Sequence, residues 1–258
     1  MTPRLRRDPI VDATMRKASL AAGTLFVLAT GAALSAAVLL PALTGADYLS
    51  RVADHPDRTA GAALLYLVAA AGSVGIAVVL YPVLKRFDAT LAAGSVVFRT
   101  IEAVFYSAGV VSLLSVLSLA QDLGGVPDAD RAAYRTMADS LLAAREHAAV
   151  VGVFAFTVGA FMYYVVFYRA RLVPRWLSGW GMAGAASMMI AAVLAVYSDT
   201  PVTGYVLLAA PIGLQEMALA LWLLLKGFRT SHTLPSTSPG PADDTPATTG
   251  ARARAAHQ

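Results

Sequence analysis

Apolar positions along this chain fall into six long blocks, and short polar segments separate them. Crossing roughly 30 Å of hydrocarbon at 1.5 Å per residue takes about 20 residues without an unpaired charge. Six stretches meet that test, at about 18–40, 60–84, 91–119, 145–168, 177–197 and 204–225. Pro41 and Gly45 close the first. The fourth begins between Leu141 and Ala148, according to whether "AREH" lies in or above the membrane. The pattern predicts an all-α fold, an integral membrane bundle of six transmembrane helices. A cleaved signal peptide is the competing reading of the first block, because the basic "RLRRDPIVDATMRK" precedes it. Its apolar run is too long for a usual signal peptide.

Composition agrees with the blocks. Apolar residues make up 57% of the chain, charged residues only 14%, and the mean hydropathy is +0.63, outside the range of ordinary soluble domains. The chain has no cysteine, which removes disulfides, thiolate catalysis, cysteine-ligated zinc and iron–sulfur clusters together.

Charge then orients the threading, since lysine and arginine in short loops are held on the cytoplasmic side. Arg4, Arg6, Arg7, Arg16 and Lys17 precede the first block; Lys85 and Arg86 follow the second. Arg169, Arg171 and Arg175 lie between the fourth and fifth, and Lys226 and Arg229 follow the sixth. All four segments fall on one side. The opposite loops mix Arg51, Arg58, Arg131 and Arg135 with more numerous aspartates. Both termini are therefore expected in the cytoplasm, with a basic arm over 1–17, a membrane domain over 18–228 and a cytoplasmic tail over 229–258. The tail is rich in Ser, Thr, Pro, Gly and Ala and is expected to be disordered. Tyr81, Tyr168, Trp176 and Trp180 gather at the cytoplasmic ends of the spans, and Tyr48, Tyr197 and Tyr205 at the outer ends, as interfacial aromatics do. The net charge of +4 arises from these topology-setting clusters and lipid-headgroup contacts rather than from a nucleic-acid surface.

Against this background, "VVFRTIEAVFYS" carries Arg99 and Glu102 inside the third span. Glu102 lies about eleven residues from the cytoplasmic start, roughly 16 Å along the axis and near the bilayer centre. The sixth span runs the other way and carries "APIGLQEMALALW", which puts Gln215 and Glu216 at a similar depth. Charges at that depth cost several kcal/mol, so they face a protein interior or a water-filled cavity and are usually paired. Arg99 and Glu102 share a helix face at a spacing of three. Arg99 reaches Glu216 as well if the third and sixth helices are neighbours. A shared arginine leaves the cluster one net negative charge, which a proton or a cation would cancel. Pro211 precedes Glu216 and marks an expected break in the sixth helix.

A second polar group, Arg145, Glu146 and His147, stands near the outer face of the fourth span. It reads either as an ordinary interfacial charge cluster or as the entrance to a polar cavity with His147 as a titrating group. The sequence has no HExxH or paired-histidine spacing, no phosphate-binding glycine loop and no GxSxG elbow. No metal, cofactor or catalytic residue is therefore assigned. The serines of "SLLSVLS" are expected to bond back within their helix. The small residues of "GAALSAA" and "GMAGAAS" read as close-packing faces, within one chain or in a homo-oligomer.

The stretches "VVLYPVLKRF", "FRTIEAV", "AAREHA", "YYVVFYRARLVPRWLSGWGMAGA" and "APIGLQEMALALWLLLKGF" resemble the bacterial multi-pass membrane proteins catalogued as domain of unknown function 4386, over about Ser19 to Phe228. The resemblance implies an integral membrane protein of several helices. It implies no activity and no site residues.

Two functional readings follow. In one, the chain is an ion- or proton-coupled carrier of a small molecule, with Glu102 and Glu216 as binding groups and Arg99 as their charge partner. In the other, it is a non-transporting sensor or assembly protein in which the same cluster locks helices together. An enzyme is not expected in either.

Overall fold

The structure is a computed structural model. It describes residues 9–127, 129–198 and 200–229, with side chains described from residue 13 onward. Among the described residues it is all-helical, with seven helices: α1 (Pro9–Leu39), α2 (Tyr48–Asp54), α3 (Pro56–Leu84), α4 (Ala89–Asp122), α5 (Arg131–Ala170), α6 (Arg175–Val196) and α7 (Val206–Leu225). All but α2 are long and apolar enough to span a bilayer. The tail from Thr230 and the first part of the basic arm, with Arg4, Arg6 and Arg7, lie outside the described residues. The second part of the arm, from Pro9, is already helical and runs into the first span.

Helix ends fall where local chemistry puts them. Asp88 caps α4 by accepting a hydrogen bond from the Leu91 amide at 3.0 Å. Pro56 opens α3, where its missing N–H goes unused. Gly227 takes a φ of 75° just past α7, and its N–H reaches the Trp222 carbonyl. The Arg229 amide then donates to the Leu172 carbonyl at 2.7 Å, which ties the chain beyond α7 to the α5–α6 turn.

The six spans form a closed ring in chain order. Each packs on the next, and α7 returns to pack on α1. An even number of crossings places the start of α1 and the end of α7 at the same end of the bundle, called here the terminal end. The other end is the distal end. At the terminal end α1 is fastened to α7 by Ser19, whose hydroxyl donates to the Leu223 carbonyl at 2.7 Å, and by Arg16, which donates to the Leu224 carbonyl at 3.0 Å. The main core also lies there: Phe26, Leu80, Tyr163, Phe167, Leu219 and Leu223 belong to one buried cluster. Glycine lets α6 and α7 approach: a Cβ added at Gly184 would stand 3.0 Å from the Ile212 backbone. The "SLLSVLS" serines bond within α4, Ser115 to the Val111 carbonyl and Ser118 to the Leu114 carbonyl.

Helices α4 and α5 are 34 and 40 residues long, well beyond the length a bilayer requires. Their distal ends carry α2, an element the hydropathy pattern does not single out, which docks Tyr48, Leu49 and Val52 against Val116, Leu117 and Ala138. Elsewhere the outward face of the ring is apolar. Leu34, Val38, Leu64, Val111, Phe154, Leu207 and Leu221 are all more than half exposed or close to it, as side chains that meet lipid tails would be. The molecule is a multi-pass membrane protein.

Candidate functional site

Arg99 sits on the inward face of α4, and its residue exposure is 2%. Its Nη1 donates to Glu102 Oε2 at 3.0 Å, one turn further along the same helix. The Ser73 hydroxyl of α3 donates to the same oxygen at 2.7 Å. From the other side, the guanidinium lies over the Phe156 ring of α5, 4.7 Å from its centroid, and near the Tyr163 ring at 5.9 Å. Gly159 makes room for this stack, since a Cβ there would meet Arg99 Cγ at 3.3 Å. Three helices thus fix the arginine.

The second carboxylate comes from across the ring. Glu216 Oε1 on α7 stands 3.7 Å from Arg99 Nη2, close enough for charge attraction but too far for a hydrogen bond. Arg99 reaches Glu216 although α4 and α7 are not adjacent in the ring: each packs mainly on other helices, and they face one another through the interior. The ion pair spans that gap. Glu216 Oε1 is buried with no hydrogen-bond partner, and so is Arg99 Nε. Buried polar atoms without partners are uncommon and call for an explanation.

A cavity of about 220 Å³ supplies one. All six spans line it, with Arg99, Glu102 and Glu216 among its polar residues and Phe26, Ile76, Phe156 and Met188 among the apolar ones. The sealed core lies on its terminal side. On its distal side it is bounded by Thr30, Ala33 and Leu34 of α1 and by Ala209 and Gly213 of α7. Leu34 is 63% exposed, so the cavity reaches the surface between α1 and α7 at that rim. A Cβ added at Gly213 would meet nothing within 4 Å, which marks the same opening.

Of the residues singled out from sequence, Arg99, Glu102 and Glu216 come together. Gln215 does not join them. It is fully buried, accepts a hydrogen bond from the Tyr164 hydroxyl and donates to the Leu177 carbonyl at 3.0 Å, which ties α7 to α5 and α6. Pro211 does not break its helix: α7 runs unbroken from Val206 to Leu225. The carbonyl that loses its donor belongs to Leu207, in the exposed first turn, so the ring disrupts little. Ser187 of α6 also braces that turn by donating to the Leu208 carbonyl at 2.9 Å.

Arg145 and Glu146 pair with each other at 3.1 Å, and Arg145 lies 5.7 Å from the centroid of Tyr66, a cavity-lining ring. His147 is exposed and apart from them. Asp139 belongs to a different group, accepting from the Tyr48 hydroxyl at 2.7 Å and lying 3.9 Å from Arg135. Burial, reinforced by that carboxylate, pushes the Tyr48 hydroxyl pKa well above its ordinary value.

Ser73, Tyr106 and Phe156 escape a reading of the sequence alone. Ser73 leaves one faint signal, a hydroxyl in the middle of an apolar span. The aromatic residues leave none, because nothing local separates a ring facing a cavity from one facing lipid.

The chain matches the family described as "Domain of unknown function (DUF4386)" over residues 21–227, and it belongs to that family. Comparison with curated proteins and with solved structures gives no match.

Proposed function

We propose that this protein is a carrier that couples movement of a small molecule to a proton or cation at the Arg99, Glu102 and Glu216 cluster. One observation carries the reading. The buried, unbonded oxygen of Glu216 lines a cavity enclosed by all six spans of a closed helix ring. A carboxylate held by charge attraction without a hydrogen bond is free to take a proton or a cation, and intramembrane charges of this kind mark transport sites. Glu102 is the fixed partner, because Arg99 and Ser73 already occupy its Oε2. Arg99 neutralises one carboxylate and orients both. The reading is non-enzymatic.

Loop charge supports a cytoplasmic membrane location with the terminal end in the cytoplasm and the cavity open toward the outside. A reporter fused after Gly227 is expected on the cytoplasmic side; finding it outside would reverse the direction of access.

The carrier reading is tested in proteoliposomes that contain a pH-sensitive dye, screened with a metabolite panel. Substrate-dependent proton or cation flux is expected from the native chain and not from Glu216→Gln. A stable, folded protein that gives no flux with any compound would favour the second reading, in which the cluster is a structural lock. That alternative has its own support, since the bonds from Ser73 and Arg99 to Glu102 join α3 to α4 while Arg99 stacks on α5.

A further inference from the structure

The chemistry of the cavity narrows what it would accept. Its floor carries two carboxylates and one guanidinium, a net charge of −1 when all are ionised. The guanidinium is held in place: Nη1 is bonded to Glu102 and one face is covered by Phe156, while Nε and Nη2 make no hydrogen bond and Nη2 lies 3.7 Å from Glu216. An anion that reached those donors would lie beside Glu216 Oε1, which is 3.7 Å from Nη2, in a site whose net charge is already negative. A neutral guest without a donor would leave that oxygen buried and unpaired, at a cost in free energy. A protonated amine supplies the missing donor and the missing charge together. The remaining wall is apolar or aromatic, with Phe26, Ile76, Tyr106 and Met188, which suits a hydrocarbon or ring attached to the ammonium.

The route in has the same character. The rim at Thr30, Leu34 and Gly213 lies on the side of the ring, and Leu34 is exposed where lipid tails would lie. Arg145 lies over the ring of the cavity-lining Tyr66, 5.7 Å from its centroid, and is paired with Glu146. Its charge is thereby balanced within α5.

We infer that the cavity binds a small lipophilic organic cation, a protonated amine carrying an apolar group, with Glu216 as its counterion. The inference rests on the proposed role of the cluster and specifies its ligand. The cation and a proton compete for the same carboxylate. Binding therefore strengthens as pH rises, over the range in which the amine itself stays protonated, and it releases a proton. The charged or titratable groups that act on Glu216 are Arg99, Glu102 and Tyr106 of α4 and Tyr163 and Tyr164 of α5.

The test is titration calorimetry of the purified full chain in lipid nanodiscs with benzylamine, benzyl alcohol and benzoate, using empty nanodiscs as the control. Benzylamine is expected to bind about tenfold or more tighter than either analogue, and more tightly on the alkaline side of neutrality than on the acid side. Glu216→Gln is expected to remove the preference. If that variant does not fold, Gly213→Leu provides an independent check, because its side chain enters open space and should block benzylamine while leaving the fold intact. Equal or tighter binding of benzyl alcohol or benzoate would overturn the assignment, and so would benzylamine binding unaffected by either variant. Transport of an anion or neutral compound would sink the cation assignment and leave the carrier reading standing. Benzylamine binding without transport of any compound would do the reverse.

Discussion

Gln215 and Glu216 are adjacent on α7 and meet opposite fates. Gln215 points into the sealed part of the bundle, where both ends of its amide are bonded, to Tyr164 and to the Leu177 carbonyl. Glu216, about 100° further around the helix, points into the cavity and keeps one oxygen unbonded. The first region has the marks of a structural joint: complete burial, satisfied hydrogen bonds and partners on two other helices. The second has the marks of a site: a charge held loosely beside empty space. A polar residue deep in a membrane protein is thus not functional by depth alone, and the state of its hydrogen bonds separates the two cases.

The strongest challenge to that distinction is to remove the group both carboxylates depend on. Arg99→Met should lower stability most, by about 3–5 kcal/mol, because it strands the buried charge of Glu102. Thermal unfolding in detergent measures this, and a native-like midpoint would mean that the cluster is hydrated rather than buried. Next, Gln215→Leu should cost about 1–3 kcal/mol by orphaning the buried Tyr164 hydroxyl and removing the tie to the Leu177 carbonyl. Ligand affinity in the surviving folded fraction should change little, and loss of binding with intact stability would erase the contrast between the two positions.

Arg135→Ala examines the exposed distal arginine, which donates to the carbonyls of Ala46 and Gly45 and lies near Asp139. Its expected cost is about 0.2–1 kcal/mol, and it should fall further as salt is raised. Glu216→Gln should lower stability least of the buried changes, because Arg99 keeps Glu102 as its bonded partner and no hydrogen bond to Glu216 Oε1 is lost. A large destabilisation there would move Glu216 to the structural side of the comparison.

Much of this architecture was legible along the chain because the bilayer makes a local demand. Each span must be long and apolar enough by itself, so six helices can be counted without knowing which of them touch. Depth was legible for the same reason, and it picked out Arg99, Glu102 and Glu216. The short α2 was not legible, since it is stabilised by docking on α4 and α5 rather than by a pattern of its own. Nor was the continuity of α7 through Pro211, which depends on where the lost bond falls and on the brace from Ser187.

What the sequence determined by itself is therefore the number, length and depth of the buried elements, because these follow from the transfer of each segment into hydrocarbon. Only the tertiary structure decided that α4 and α7 face each other across a ring, that α7 is rotated so that Glu216 and not Gln215 meets Arg99, and that a cavity remains beside them. Those outcomes depend on how six helices turn about their axes to pack together, and that choice involves residues from all of them at once.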